Sequence, residues 1–366
     1  MIVKDEEKDI ERCLKSVYKY IDYWVIIDTG SKDKTIKKIK SLMKNRFKVP
    51  GELHERPWVD FSHNRNEALE IAETKADYVM FMDADDVFKT DPGFNLDFLS
   101  SDHLCYNCAF SVRNTSFERT LMVKSNEGWK YKGVLHEYIV KISPDEDLKF
   151  IGFAENCRMF ASASPLKRFN SEKEKYLNDA LILEQEMIKD PDNTRNQFYL
   201  AQCYADAGLT DLAIDNYEKR IQMGGWDQEI YISLFRRAGH IINNGCSEER
   251  AIHEMSRAWE YMPYRYEAAA ALMSMLVSNG RASLAFSYGE MTIMFQKVFG
   301  AGTSFHVSDL CKNYSFPRNY AVAAEKCGFY ETALSALRLL RQTGGEHIKP
   351  KELDKKIKEL ESKCSA

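Results

Sequence analysis

Hydrophobic periodicity changes once along this chain, near residue 165, and that change rules out a single continuous fold. Up to about Asp85, short β-branched apolar runs alternate with amphipathic charged stretches, the pattern of βαβ units around a parallel sheet. Beyond Pro165 nearly every window carries the helical period. The expectation is an α/β domain over residues 1–165 followed by an all-α domain over 166–366. A length of 366 residues suits two domains of that size.

Within the first part, Ile2-Val3 is the stub of a strand. Ile10, Cys13, Leu14, Val17 and Tyr18 are spaced for one face of a helix between Asp9 and Tyr20. Tyr23 to Asp28 reads as a buried strand, and Thr29-Gly30-Ser31 as a turn into a Lys-rich helix from near Asp33. Leu53 belongs to a third strand, Ser62 is placed to cap a helix reaching about Thr74, and Tyr78 to Met82 is a fourth strand. Alternation at His103 to Val112 and Thr120 to Lys124 predicts antiparallel or edge strands. The early strands end in polar residues, where a parallel sheet keeps its ligand crevice.

The second part repeats one device. A Gly ends a helical pattern and an Ala follows five or six residues on, at Gly208 and Ala213, Gly245 and Ala251, Gly280 and Ala285, and Gly328 and Ala333. The glycines lie 37, 35 and 48 residues apart, against a period of about 34 for helix-turn-helix repeats. Gly permits the tight turn and Ala lets the next helix approach closely. Leu200-Ala201-x-x-Tyr204, with Gly208, Ala213 and Tyr217 after it, resembles a tetratricopeptide unit.

Composition excludes several roles. With 51 basic residues against 55 acidic ones the net charge is -4, so no global field draws in nucleic acid or an anionic membrane. The longest apolar stretch, Ala268 to Val277, is half of the ~20 residues a bilayer span requires and is broken by Ser274. Met1 to Glu7 turns acidic at once, without a signal-peptide core. Nine scattered cysteines, an odd number, point to reduced thiols and a cytoplasmic setting. Cys105-x-x-Cys108 lacks the second pair that a tetrahedral zinc site needs.

Three stretches carry candidate chemistry. Asp83-Ala84-Asp85-Asp86 follows an apolar strand directly, and carboxylates so crowded need compensation, most simply a hard divalent cation, Mn²⁺ or Mg²⁺, that in turn grips a diphosphate. A solvated acidic turn is the plainer reading of that motif alone. Asp28-Thr29-Gly30-Ser31-x-Asp33-x-Thr35 projects side chains into the crevice, or is simple turn and cap chemistry. Trp58-x-Asp60-Phe61-Ser62-x-x-Arg65-Asn66 opens a helix with an arginine one turn in, suited to phosphate or to a surface ion pair.

Together with Val3-Lys4-Asp5-Glu6-Glu7, these motifs resemble, in order and spacing over residues 1 to about 90, the nucleotide-sugar-binding half of family 2 glycosyltransferases with the GT-A fold. Gly133-x-x-His136-Glu137 is similar to the closing segment of a subgroup with a tetratricopeptide-like tail. The resemblance implies a Rossmann-like, mostly parallel sheet and a metal-dependent inverting transfer from a nucleoside diphosphate sugar, UDP-linked, to a protein, peptide or glycan acceptor. It assigns Asp28 to the base or ribose, Arg65 to base or phosphate, and Asp83 with Asp85 to the Asp-x-Asp signature, Asp85 being the direct metal ligand. Val3 and Ala84 would also touch the donor. Glu137 would be the general base, with His136 beside it as a metal or diphosphate contact. The repeats would help bind the acceptor.

Two departures bear on this. Family members begin with a longer first strand than Ile2-Val3, and Thr29 stands where many have a second Asp. Either donor affinity is modest or the natural chain starts earlier. The competing reading is a catalytically degenerate GT-A scaffold carrying a protein-binding adaptor tail. A nucleotidyltransferase is disfavoured, because no Gly-rich, Lys-bearing phosphate loop lies near the first strand.

Overall fold

In the computed structural model, residues 1–99, 103–112, 115–142, 151–161, 170–300, 307–308 and 310–364 are described. The chain divides into two units, Met1–Phe169 and Asn170–Ala366. Pro165, where the sequence grammar changes, lies outside the described residues.

The first unit begins β1 (Ile2–Val3), α1 (Ile10–Val17), β2 (Trp24–Asp28), α2 (Thr35–Lys40), β3 (Gly51–Glu55), α3 (Phe61–Ala72) and β4 (Tyr78–Met80). Strands β1, β2 and β3 form a parallel sheet in that order, with Ile2 opposite Ile27 and Trp24 opposite Gly51. After β4 come β5 (Val87–Thr90), β6 (Cys105–Val112), β7 (Thr115–Lys124), β8 (Trp129–Lys132), β9 (Tyr138–Lys141) and β10 (Ile151–Phe160). These build a mixed sheet ordered β7-β6-β10-β5, in which only β6 and β10 run parallel, with β4 antiparallel on the outer edge of β7. Strands β8 and β9 form a separate antiparallel hairpin.

Helix α1 serves two cores because its apolar face is split. Ile10 and Leu14 pack with Val3, Ile26, Ile39 and Met43. Cys13 and Val17 pack with Met82, Phe88, Tyr106, Leu121 and Met159. Area removed from water by side chains of this size is worth about 1.5–3 kcal/mol each, so α1 ties the parallel sheet to the mixed one. Its regular part stops at Val17, and Tyr18–Tyr20 tightens into a 3₁₀ turn.

The cap of α3 corrects the sequence reading. Asp60, not Ser62, is the N-cap: its backbone is extended (φ -153°, ψ 176°) and its carboxylate accepts the His63 amide hydrogen at 2.7 Å. Ser62 falls inside the first turn, where its hydroxyl donates to the Gly133 carbonyl instead.

The second unit is a run of helices: α4 (Glu172–Lys189), α5 (Thr194–Asp206), α6 (Thr210–Gln222), α7 (Asp227–Asn243), α8 (Glu248–Tyr261), α9 (Tyr266–Ser278), α10 (Ala282–Phe299), α11 (Phe316–Lys326), α12 (Tyr330–Thr343) and α13 (Pro350–Cys364). Each packs on its successor. Gly208, Gly245, Gly280 and Gly328 take φ of +78°, +86°, +72° and +82°, a region that costs any other residue a Cβ clash. Ala213, Ala251, Ala285 and Ala333 are buried, as close helix approach requires. A charged lock fixes α6 to α7: fully buried Arg220 donates through Nε and Nη2 to Glu229 at 3.2 and 3.0 Å, and through Nη1 to the Gly224 carbonyl. The architecture is therefore α/β followed by all-α. Among the described residues no helix is long and apolar enough to cross a membrane.

Candidate functional site

The loop after β1 and the loop after β2 are stitched to each other by side chains. The amides of Asp5, Glu6 and Glu7 donate to Ser31 Oγ, Thr35 Oγ1 and Asp33 Oδ2 at 2.9, 2.7 and 3.0 Å. In return the amides of Lys32 and Lys34 donate to the carboxylates of Asp5 and Glu7. Ser31, Asp33 and Thr35 are thus spent on holding the rim. Asp28 differs. Its Oδ1 accepts the amides of Gly30 and Ser31 at 2.9 Å each, while its Oδ2 is buried without a partner among the described residues. A buried unsatisfied oxygen calls for an explanation, and a ligand hydroxyl or imide N–H would supply one.

Helix α3 is docked onto the β8–β9 hairpin by its own polar residues. The Asn66 amide group both donates to and accepts from the backbone of Tyr131, at 3.0 and 2.7 Å. The Ser62 hydroxyl bonds the carbonyl of Gly133, in the loop that ends in His136 and Glu137. Arg65 is thereby carried to the centre of the rim. Its Nε donates to Glu137 at 2.6 Å and its Nη2 to Asp83 at 2.5 Å, with the guanidinium 5.5 Å from the centre of the Tyr131 ring. Arg65 and Glu137 are only 8% and 10% exposed, so these charge-assisted bonds lie in little water.

The acidic motif is a closed turn between β4 and β5. The Asp86 amide donates to the Asp83 carbonyl at 3.1 Å, and the Asp83 amide donates to the Asp86 carboxylate at 3.0 Å. Arg12 of α1 donates to the Asp85 carbonyl at 3.1 Å and pairs with Asp9. Burial works to raise the Asp83 pKa, but Arg65 and then Arg119, whose Nη1 is 3.8 Å from Asp83 Oδ2, outweigh it and hold the group down at about 2. Asp86 goes the other way. Burial first, and the Asp83 charge second, push it up to about 7.

The chain's own arginines and a raised carboxyl pKa therefore supply much of the compensation that the sequence reading gave to a metal ion. Among the described residues no group of three or more His, Cys, Asp or Glu side chains is arranged to hold a cation. Asp83, Asp85 and His136 do not form a ready-made cage. The donor set still fits Mg²⁺ or Mn²⁺, which take one or two carboxylates and fill their shell with phosphate oxygens and water. Asp85 lies half-buried on the turn, beside the Asp83 that Arg65 holds.

The other sequence candidates stand as follows. The carbonyl of Val3 accepts both the amide and the hydroxyl of Thr29, and Ala84 is buried against the front core, so neither side chain offers a polar contact. His136 holds a left-handed backbone with φ +52°, as does Asp5 at +55°. Such conformations in non-glycine residues collect at functional loops. The sequence reading counted Asp86 in the acidic motif without giving it a role of its own, and it missed Arg119. An apolar cavity of about 590 Å³ between β2 and β4 is bordered by Arg65 and Tyr131, but its lining of Leu14, Val25, Leu69 and Val79 lacks Asp83, Asp85 and Glu137. It adjoins the polar rim only through Arg65 and Tyr131.

Residues 1–92 match the profile of Glycosyl transferase family 2, about a quarter of the chain. A TPR repeat-containing protein of Synechococcus elongatus is 37% identical over 87 residues, which is 24% of this chain and 19% of that protein, so the match spans less than a fifth of its relative. Among solved structures, MamA is similar at 19% identity over 48% of this chain and 92% of its own, with a TM-score of 0.35. TTC0263, a TPR protein of Thermus thermophilus, is similar at 11% identity over 51% of this chain and 91% of its own, with a TM-score of 0.32.

Proposed function

We propose that the first unit is a glycosyltransferase that moves a sugar from a nucleoside diphosphate donor, UDP-linked, to an acceptor hydroxyl with inversion. The observation that carries this reading is Arg65, which joins Asp83 of the acidic turn to Glu137 across one small rim. Three separate sequence motifs meet there, and the profile match covers two of them.

In this reading the unpartnered Oδ2 of Asp28 accepts from the base or ribose. Asp85, with Asp83 beside it, would hold Mn²⁺ or Mg²⁺, and His136 is positioned by sequence to touch the same diphosphate. A bound divalent cation supplies positive charge at the departing diphosphate. Glu137 takes the proton from the acceptor hydroxyl, whose oxygen bonds to the anomeric carbon as the bond to the diphosphate oxygen breaks. Arg65 holds the Glu137 carboxylate in place for that step. The repeats of the second unit would present a protein, peptide or glycan acceptor, and the reaction would be cytoplasmic.

A specific observation favours the competing reading, a degenerate scaffold with an adaptor tail: Asp83 is already paired with Arg65. Hydrolysis of UDP-sugars in the presence of Mn²⁺ separates the two. A transferase turns donor over slowly, and Asp85→Asn and Glu137→Gln abolish turnover; a scaffold shows none with any UDP- or GDP-sugar.

A further inference from the structure

Strand β7 brings a cation to the acidic turn, Arg119. Arg119 lies directly opposite Cys108 on β6, and Cys108 is fully buried. Cross-strand partners share a face of the sheet, so Arg119 emerges on the core side of the hairpin, not the solvent side. A register shift follows at once: Tyr106 faces Met122 and Asn107 faces Thr120, which leaves Leu121 as an extra residue in β7. Bulges of this kind re-aim side chains beside functional sites.

The guanidinium ends at the acidic turn without being consumed by it. Arg119 Nη1 stops 3.8 Å from Asp83 Oδ2, beyond hydrogen-bond range, and the side chain is 34% exposed. Its guanidinium rests 5.0 Å from the centre of the Phe110 ring, a cation–π contact that uses no N–H donor. The other arginines at the turn are committed. Arg65 is buried and bonded to both Asp83 and Glu137, and Arg12 is bonded to the Asp85 carbonyl and to Asp9.

An anionic ligand entering this rim meets Asp83, Asp85, Asp86 and Glu137, all of like sign or able to become so. Something must turn toward it. We propose that Arg119 is the residue that grips the diphosphate of the ligand, leaving its loose contact with Asp83 to form charge-assisted bonds with phosphate oxygens. The proposal rests on the donor reading above and deepens it, by assigning recognition of the charged part to a strand that lies outside the family match at residues 1–92. A guanidinium suits this because its planar fork matches two phosphate oxygens, where an ammonium offers a single point of charge.

The test compares three probes by calorimetry in the presence of Mg²⁺: UDP, uridine and inorganic pyrophosphate, against the full chain, Arg119→Gln and Arg119→Lys. The expected result is a tenfold or greater loss of UDP and pyrophosphate affinity in Arg119→Gln, a smaller loss in Arg119→Lys, and uridine affinity within twofold throughout. UDP affinity unchanged in Arg119→Gln would overturn the proposal while leaving the donor reading in place. Equal loss of UDP and uridine in both variants would also overturn it, as general collapse of the rim. If the unaltered chain binds pyrophosphate through Arg119 but neither UDP nor uridine, the donor reading fails and the phosphate grip stands; binding of none of the three sinks both.

Discussion

Replacing Arg65 by methionine keeps most of the side-chain volume and removes the charge that Asp83 and Glu137 share. Glu137, 10% exposed, is left as a buried carboxylate without its cation. Breaking such a pair from one side costs about 3–5 kcal/mol. Asp83 adds less, since it is 33% exposed and keeps Arg119 within 3.8 Å; solvent screening limits that part to about 1 kcal/mol or below. The full cost at pH 7.5 is therefore set mostly by Glu137. Adding Glu137→Gln to Arg65→Met removes the stranded charge and should recover at least half of the loss, a coupling of about 2–3 kcal/mol. Hydrogen exchange of the α3 and β4 amides, measured for both single variants and the double variant, reads the first unit apart from the helical one. A coupling below about 0.5 kcal/mol, the size seen between independent sites, would show that the short contacts at Arg65 do not hold this rim together.

Three further outcomes follow from the same contacts. Asp86, raised from 3.8 to about 7, keeps its proton in the folded chain after the unfolded chain has lost it, so stability falls as pH rises from about 4 to 7. In chelating buffer Asp86→Asn should be more stable than the parent by about 2–4 kcal/mol at pH 8, with the gain gone at pH 4; an equal gain at both values contradicts the assignment. Arg220→Met leaves buried Glu229 with only the longer contact to Arg195 at 3.4 Å and should cost the helical unit about 2–3 kcal/mol, read as lost exchange protection in α6 and α7 with the first unit unaffected. Gly208→Ala forces a Cβ into φ +78° and should cost about 1 kcal/mol, checked by a lower urea midpoint at unchanged slope.

Elements with a strong period were legible from sequence. The β2 strand starts one residue later than Tyr23 and ends at Asp28 as read, and the four Gly turns of the helical unit sit where the spacing put them. Local competition decided the misses. Asp60 and Ser62 are both good caps, and only the position of Gly133 shows that the hydroxyl of Ser62 is needed elsewhere. The motif residues Asp28, Arg65 and Asp83 were visible because each follows a strand or opens a helix. Arg119 was not, because a lone arginine in an alternating strand says nothing of which face is buried until Cys108 is known to be its partner. The neutralisation of Asp83 by arginine was hidden for a related reason: Arg65 and Asp83 are 18 residues apart, and their contact depends on how α3 docks on the β8–β9 hairpin.

Calorimetric titration of UDP into the full chain, with and without Mn²⁺ and repeated with Asp85→Asn, puts the donor reading most directly at risk. The rim built on Arg65 should take up UDP at least tenfold more tightly with the metal present, and that gain should vanish in Asp85→Asn while the metal-free affinity is retained. No uptake of UDP or GDP under either condition would contradict a donor site here and leave the first unit as a scaffold.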